Sequence, residues 1–159
     1  MNILIVVDMQ NDFVSGALGT PEARRIVPAA AERVAAGIRR GERIFFTRDT
    51  HGADYLHTRE GRNLPVPHCI RGTEGWEIVE QLRPASAGQA ILDKPSFGSA
   101  ELGRLLAEEN EKDFQRLAGE GVPAGGRGSG GCRLLRRCHP GEPSDRACGH
   151  EELPDHRGT

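Results

Sequence analysis

Three short apolar runs within the first hundred residues each end abruptly at polar residues. Five consecutive apolar residues, mostly β-branched, fill positions 3–7, and shorter runs lie within 43–47 and 90–93. Continuous runs without alternation are typical of strands buried on both faces of a parallel sheet. Each run is therefore predicted to be a strand.

Helical patterns separate these strands. Pro28 suits the first turn of a helix that continues to Gly41. A long loop over 48–75 precedes a short predicted helix at 76–82, and a further helix is predicted over about 101–110. Strands that alternate with helices predict an α/β fold with three layers and a mainly parallel sheet.

Polar residues that follow the strands mark the expected site. Ligands of open α/β sheets bind outside the carboxyl ends of the strands, so Asp8, the 49–51 segment and Lys94 are candidates. Taken alone, Asp8 is explained equally well as a cap for the following turn. Taken alone, Lys94 is better explained as a solvated surface lysine.

Four motifs together carry a family resemblance. In chain order they are Val-Asp-Met-Gln-Asn-Asp-Phe, Thr-Arg-Asp-Thr-His, Pro-His-Cys-Ile-Arg-Gly-Thr and Asp-Lys-Pro-Ser-Phe-Gly-Ser. Over residues 1 to about 112 the chain resembles the isochorismatase-like cysteine hydrolases, and among them the nicotinamidases. The resemblance implies a Rossmann-like, six-stranded α/β/α fold. It also implies hydrolysis of the small molecule nicotinamide to nicotinic acid and ammonia through a cysteine thioester.

The resemblance also implies catalytic and substrate-binding residues. Asp8 would take the proton of a cysteine thiol and later donate it to ammonia, and Lys94 would keep Asp8 ionised. Phe13 and Trp76 lie at positions that resemble the aromatic walls of the nicotinamide pocket. Ordinary core packing explains Trp76 about as well.

A metal site is implied by the same motifs. Asp49, His51 and His68 correspond to ligands of a divalent metal, most simply Zn²⁺, with Fe²⁺ and Mn²⁺ as alternatives. Glu60 is in the right loop to be a fourth ligand, and His57 competes with it for that place. Each histidine taken separately is more often a surface or hydrogen-bonded residue.

Composition limits the partners and the compartment. The formal net charge of −2 gives no electrostatic reason to expect nucleic acid or an anionic membrane as a partner. No apolar run approaches the length of a membrane span, and the N-terminal run lacks the features of a signal peptide. We therefore expect one cytoplasmic domain with reduced cysteines. Its oligomeric state is open, a homo-oligomer being one option.

The last third, 113–159, has a different composition from the hydrolase-like part, 1–112. It contains ten glycines and three of the four cysteines, but no isoleucine and a single valine. Such a segment lacks the apolar residues of buried strands, so further strands there are doubtful. Codons allowed for this tail, read one nucleotide out of frame, can encode strings that resemble the C-terminal third of the family. A deletion with a frameshift is the hypothesis that follows.

The same comparison of reading frames predicts that the nucleophile is missing. In the family, a Cys-Thr-Asp-Ile-Cys-like motif precedes the segment that here directly follows Lys112. Cys132 lies on a glycine-rich stretch with no predicted strand before it, and Cys69 is expected to be a packing residue. The chain is thus predicted to be inactive as written. The alternatives are another cysteine hydrolase of the superfamily, a non-catalytic protein that binds metal or pyridine, and a chain without a stable fold.

Overall fold

A parallel sheet forms the centre of the molecule. The computed structural model describes residues 2–119 and 132–135. All pairings between neighbouring strands are parallel, in the order β3-β2-β1-β4. The strands are β1 (Ile3–Val7), β2 (Arg43–Asp49), β3 (Ala90–Lys94) and β4 (Cys132–Leu135). The predicted α/β fold with a parallel sheet is confirmed, and the first three strands lie where the apolar runs predicted them.

Helices flank the sheet and fill the connections. They are α1 (Asn11–Val14), α2 (Pro21–Arg39), α3 (Arg59–Asn63), α4 (Arg83–Ser86) and α5 (Ala100–Gly119). Single 3₁₀ turns occupy Tyr55–His57 and Glu74–Trp76 within the long loop. Across the described residues, no helix combines the length and the apolar character needed to cross a bilayer.

The predicted start of the first long helix was wrong. Pro28 lies inside α2 rather than in its first turn. The helix begins at Pro21, because the hydroxyl of Thr20 accepts a hydrogen bond from the Ala23 amide at 3.0 Å. Proline at the first helical position needs no amide partner there, so Thr20 and Pro21 together define the start.

The predicted helix at 76–82 was also wrong. The Val79 amide donates to the Met9 carbonyl, and the Asn11 amide donates to the Glu77 carbonyl. These bonds pair the segment with the residues after β1 in an extended conformation, centred on a bridge between Gln10 and Ile78. Helical hydrogen bonds would need the same backbone groups, and the helix therefore starts only at α4.

The last long helix is longer than predicted. It continues nine residues beyond Asn110, so the predicted domain boundary at 112 falls within α5. Side-chain pairs three residues apart bridge successive turns, including Lys112 with Glu109 and Arg116 with Asp113. Charged pairs of this kind support a helix that shows little apolar periodicity.

The tail contributes a strand where none was predicted. Residues 132–135 pair with β1 as β4, with Cys132 opposite Ile3. Cys132 is the first residue of β4, and the residues directly before it lie outside the described ranges, so the expectation that no strand precedes Cys132 stays a prediction. The short Cys-Arg-Leu-Leu sequence gave too little apolar pattern to predict this strand.

The two faces of the sheet are covered differently. On one face α2 packs over the sheet in a continuous apolar core, whose fully buried members are Leu4, Val6, Val34, Ile44 and Leu82. On the other face, Arg43 of β2 lies 3.6 Å from the carboxylate of Glu109 on α5. The carboxyl ends of the strands remain for the site.

Truncating a core leucine should distinguish buried from exposed positions. Leu82→Ala should lower the free energy of unfolding by about 2–5 kcal/mol, because it leaves a cavity in the apolar core. Leu56 is 48 % exposed and is the matched control. Leu56→Ala should change stability by less than about 0.5 kcal/mol. Urea denaturation followed by circular dichroism measures both, and equal losses would contradict this packing.

Candidate active site and metal centre

Strand register brings the predicted polar residues together. Val7 pairs with Thr47, and Asp49 pairs with Lys94. Asp8, Asp49 and Lys94 therefore meet where β1, β2 and β3 end, which we call the carboxyl edge. The Thr50 amide donates to the Lys94 carbonyl at 2.8 Å and extends the pairing of β2 and β3 by one step.

Both carboxylate oxygens of Asp8 are engaged at this edge. Lys94 Nζ donates to Oδ2 at 2.9 Å, and Thr47 Oγ1 donates to Oδ1 at 2.7 Å. The side chains of Asp8 and Lys94 are each 5 % exposed, so the ion pair is almost completely removed from water. Asp8 has a φ of 54°, a left-handed conformation that aspartate tolerates better than most residues.

This arrangement is suited to proton transfer. A carboxylate held in one orientation can act as a general base toward a group within hydrogen-bond distance. Thr47 has no assigned role in the sequence analysis. The sequence signal that could have revealed Thr47 is a hydroxyl residue directly after the apolar run 44–46. The structure shows that Thr47 is in register with Val7, the residue before Asp8.

Four side chains form a compact donor group beside this pair. Asp49 Oδ2 lies 3.2 Å from His51 Nε2 and 3.5 Å from His68 Nε2. Glu60 Oε1 lies 4.0 Å from His51 Nε2, and one ligand atom from each of the four residues lies within 4.8 Å of all the others. We call these residues the Asp-His-Glu-His group. His57 is exposed and is not a member of it.

The spacing fits a small divalent metal. Ligand atoms about 2.1 Å from a tetrahedral ion lie about 3.4 Å from one another, and the two shorter separations bracket this value. Two imidazole nitrogens and two carboxylate oxygens are donors that Zn²⁺, Fe²⁺ and Mn²⁺ accept. The residues therefore fit such a metal.

The orientation of His68 is fixed by its backbone neighbour. His68 Nδ1 lies 2.8 Å from the Val66 carbonyl, which can only accept, so Nδ1 carries a proton. Nε2 is then the atom turned toward Asp49. A hydrogen bond from the second ring nitrogen is a common way to orient a metal-binding histidine.

Electrostatics couple these donors. Burial alone would lower the pKa of His68, but hydrogen bonds to Asp49 and Val66, with the nearby carboxylate charges, raise it above its ordinary value. Burial alone would raise the pKa of Asp49, but the His68 hydrogen bond and the charges of His51 and Lys94 lower it. The group favours a positive charge between its carboxylates and imidazoles, which a proton or a metal ion supplies.

Aromatic rings enclose the histidines. The Tyr55 ring centroid lies 4.7 Å from that of His51 and 5.0 Å from that of His68, and its hydroxyl donates to the Leu64 carbonyl. The Phe13 ring centroid lies 5.5 Å from that of His68, so Phe13 borders the donor group. Tyr55 was not identified from the sequence, although it is the single tyrosine of the chain.

Trp76 is partly exposed and lies beside Thr50 and Arg48, at the end of β2. Its Nε1 donates to Thr50 Oγ1 at 2.8 Å, and the Arg48 guanidinium lies 3.7 Å from the ring centroid. Asp93 pairs with both Arg48 and Arg71 and holds this stack in place. The ring is half-buried, so core packing does not account for Trp76.

Gln10 connects these parts and is fully buried. Its Nε2 donates to the Asp49 carbonyl at 2.9 Å and to the Trp76 carbonyl at 2.8 Å. Its Oε1 accepts from the Asp49 amide at 2.7 Å. Sequence reasoning gave Gln10 no role, although a polar residue three positions past a buried strand was a usable signal.

The two cysteines in the described ranges occupy different places. Cys69 follows His68 and is completely buried. Cys132 pairs with Ile3 at the start of β1, five residues before Asp8, which is about 16 Å along a strand. Cys132 is therefore at the opposite edge of the sheet from Asp8.

Comparison with known proteins assigns the family. The family model described as Isochorismatase domain matches residues 2–118. The chain belongs to the isochorismatase family. The motifs that suggested this family lie in the matched region, and they contribute the residues at the carboxyl edge.

Individual relatives are similar at modest identity. The nicotinamidase of Saccharomyces cerevisiae is 30 % identical over 109 residues, which cover 52 % of this chain and 50 % of the yeast protein. The structure of N-carbamoylsarcosine amidase from Thermoplasma acidophilum is 31 % identical, with a TM-score of 0.59 and coverage of 69 % and 63 %. Pyrazinamidase of Pyrococcus horikoshii, solved in complex with zinc, is 32 % identical, with a TM-score of 0.54 and coverage of 69 % and 65 %. The chain thus spans about half to two thirds of these relatives.

The buried ion pair gives a testable consequence for stability. Lys94→Met should lower the free energy of unfolding by about 3–5 kcal/mol, because it leaves the Asp8 carboxylate buried without its cation. The second lysine of the chain, Lys112, is 66 % exposed and is the matched control. Lys112→Met should change stability by less than about 0.5 kcal/mol.

The measurement is urea denaturation followed by the fluorescence of Trp76, the single tryptophan. Adding Asp8→Asn to Lys94→Met should recover part of the lost stability, because it removes the unpaired charge. If the double variant is less stable than Lys94→Met alone, the destabilisation does not come from the uncompensated carboxylate.

Proposed function

We propose that this chain carries the site of a nicotinamidase-type amidohydrolase. The reaction is the addition of water to nicotinamide, which gives nicotinic acid and ammonia. One observation carries the proposal: a buried Asp8–Lys94 pair lies beside the Asp-His-Glu-His group at the same edge of the sheet. Similarity to a nicotinamidase and a pyrazinamidase supports the substrate class.

Asp8 is the proton carrier in this proposal. In the reaction of an intact family member, this carboxylate would accept the proton of the attacking thiol and return it to the departing ammonia. Lys94 donates to one oxygen of the carboxylate, and Thr47 fixes its plane by donating to the other. Thr47 lies on β2, which pairs with β1, and Lys94 lies on β3, the next strand of the sheet. The sheet therefore holds both partners beside Asp8.

The Asp-His-Glu-His group holds the metal and orients the substrate. Asp49, His51, His68 and Glu60 would bind Zn²⁺, or Fe²⁺ or Mn²⁺, which when bound supplies a Lewis-acidic position for the pyridine nitrogen. Phe13, whose ring lies beside His68, and Trp76, whose indole donates to Thr50, would contact the pyridine ring.

In this proposal neither cysteine of the described ranges serves as the nucleophile. Cys69 is buried in the loop that carries His68, and Cys132 lies at the opposite edge of the sheet from Asp8. A thiol must lie close to its base and to the carbonyl that it attacks. We therefore propose that the chain as it stands binds metal and nicotinamide but does not turn nicotinamide over, as a deletion in the coding sequence would cause.

Zinc binding should depend on Glu60 and not on His57. Isothermal titration of the metal-free chain with Zn²⁺ should give one site. His68→Ala should weaken zinc binding by at least about 10-fold, because it removes an imidazole ligand. Glu60→Gln should also weaken zinc binding, because it replaces a charged carboxylate with a neutral amide. His57→Ala is the control and should bind like the parent. A loss of affinity in His57→Ala with no change in Glu60→Gln would reverse the assignment of the fourth ligand.

Nicotinamide should bind without releasing ammonia. We expect calorimetry of the zinc-loaded chain to detect nicotinamide binding, and a coupled assay to detect no ammonia above the buffer rate. Phe13→Ala should weaken binding, while Phe114→Ala, which removes an exposed ring, should not. Ammonia release that disappears in Cys69→Ser or Cys132→Ser would show that one of these thiols is a nucleophile and would overturn the proposed inactivity.

A second function within the family is hydrolysis of another small amide. It is favoured by the similarity to N-carbamoylsarcosine amidase, which equals the similarity to the nicotinamidase in sequence identity to within one per cent. A binding screen of nicotinamide, pyrazinamide and N-carbamoyl amino acids on the zinc-loaded chain separates the two. Preference for the carbamoyl compounds would replace the nicotinamidase assignment.

A further inference from the structure

His68 is attached to a residue with an unfavourable backbone conformation. Cys69 has a φ of 46°, and Asp8 is the one other non-glycine residue with positive φ among those described. A side chain in this left-handed region is strained unless the surroundings hold it there. Since His68 precedes Cys69, the direction of the His68 ring depends on this conformation.

The Asp12 carboxylate holds this backbone. Its Oδ2 accepts a hydrogen bond from the Cys69 amide at 2.8 Å, across 57 residues of sequence. The Cys69 carbonyl accepts from the His51 amide at 3.0 Å, so both backbone groups of Cys69 are tied to parts of the site. A charged acceptor makes such a bond stronger than a neutral one.

The surroundings leave the carboxylate little freedom. A Cβ atom added to Gly75 would lie 2.1 Å from Asp12 Oδ2, so the backbone of the Glu74–Trp76 turn packs directly against it. Asp12 Oδ1 accepts from the Ala17 amide at 3.2 Å. One carboxylate therefore contacts the residues after α1, the turn that carries Trp76 and the loop that carries His68.

We infer that Asp12 is a positioning residue for the metal centre. By holding the Cys69 amide, its carboxylate keeps the His68 loop in the left-handed conformation that directs His68 Nε2 toward Asp49. Asp12 is not a ligand, since it does not belong to the Asp-His-Glu-His group. The inference rests on the proposed metal site and adds a residue outside it that sets its affinity.

A rescue experiment separates positioning from general stabilisation. In Asp12→Ala the affinity for Zn²⁺, measured by competition with a chromophoric chelator, should fall by about 10–100-fold. Adding Cys69→Gly should restore much of it, because glycine adopts positive φ without strain. Adding Cys69→Ala should not restore the affinity, because alanine removes the thiol but is strained at positive φ as cysteine is. Asp54→Ala removes an exposed carboxylate from the long loop that also carries His68. It controls for the loss of one negative charge and should leave the affinity for Zn²⁺ unchanged.

Each outcome decides the inference. Unchanged affinity in Asp12→Ala, or equal recovery with glycine and alanine, overturns it. If Asp12→Ala does not fold, Asp12→Asn keeps the shape of the side chain and should show a smaller loss that Cys69→Gly again reverses.

A measurement on the metal-free chain distinguishes failure of the proposed metal site from failure of the inference about Asp12. If the parent binds no Zn²⁺, the proposed function fails, and the hydrogen bond is then tested by amide exchange. Cys69 amide exchange that is faster in Asp12→Ala, with β1 amides unchanged, supports Asp12 as the residue that holds this backbone. Unchanged exchange at Cys69 overturns the inference independently of any metal.

Discussion

The buried pair between Asp8 and Lys94 is the interaction on which the site depends. Two charges withdrawn from water are tolerated only when each satisfies the other with good geometry. Here the geometry is set by strands, because Lys94 ends β3 and Asp8 directly follows β1, with Thr47 of β2 between them. The parallel register thus decides whether this pair can exist at all.

The segment that follows β1 organises the rest of the site. Within a few residues it supplies Asp8 to the ion pair, Gln10 to the Asp49 backbone, Asp12 to the Cys69 amide and Phe13 to the His68 ring. Each contact reaches a different part of the chain. A short connection can do this because the carboxyl edge brings those parts to the end of β1.

Sequence reasoning was reliable where burial sets the pattern. β1, β2 and β3 were predicted because each is a mostly apolar run, and the polar residues after them could be placed at one edge by topology alone. It failed where hydrogen bonding between distant segments decides the conformation. The bonds from Val79 to Met9 and from Asn11 to Glu77 turn a predicted helix into an extended segment, and the Asp12 contact with Cys69 has no local signal. The position of Glu60 beside the other three donors likewise depends on how α3 directs its side chain.

The strand order also has a consequence for the order in which the molecule can assemble. β1 pairs with β2 across about 40 residues and with β4 across about 130. Closing the longer loop costs about 1 kcal/mol more in chain entropy, since this cost grows with the logarithm of loop length. The strands that carry Asp8, Asp49 and Lys94 are thus joined over the shorter distances. The carboxyl edge therefore forms through the shorter loop closures, whereas pairing with the strand from the tail needs the longer one.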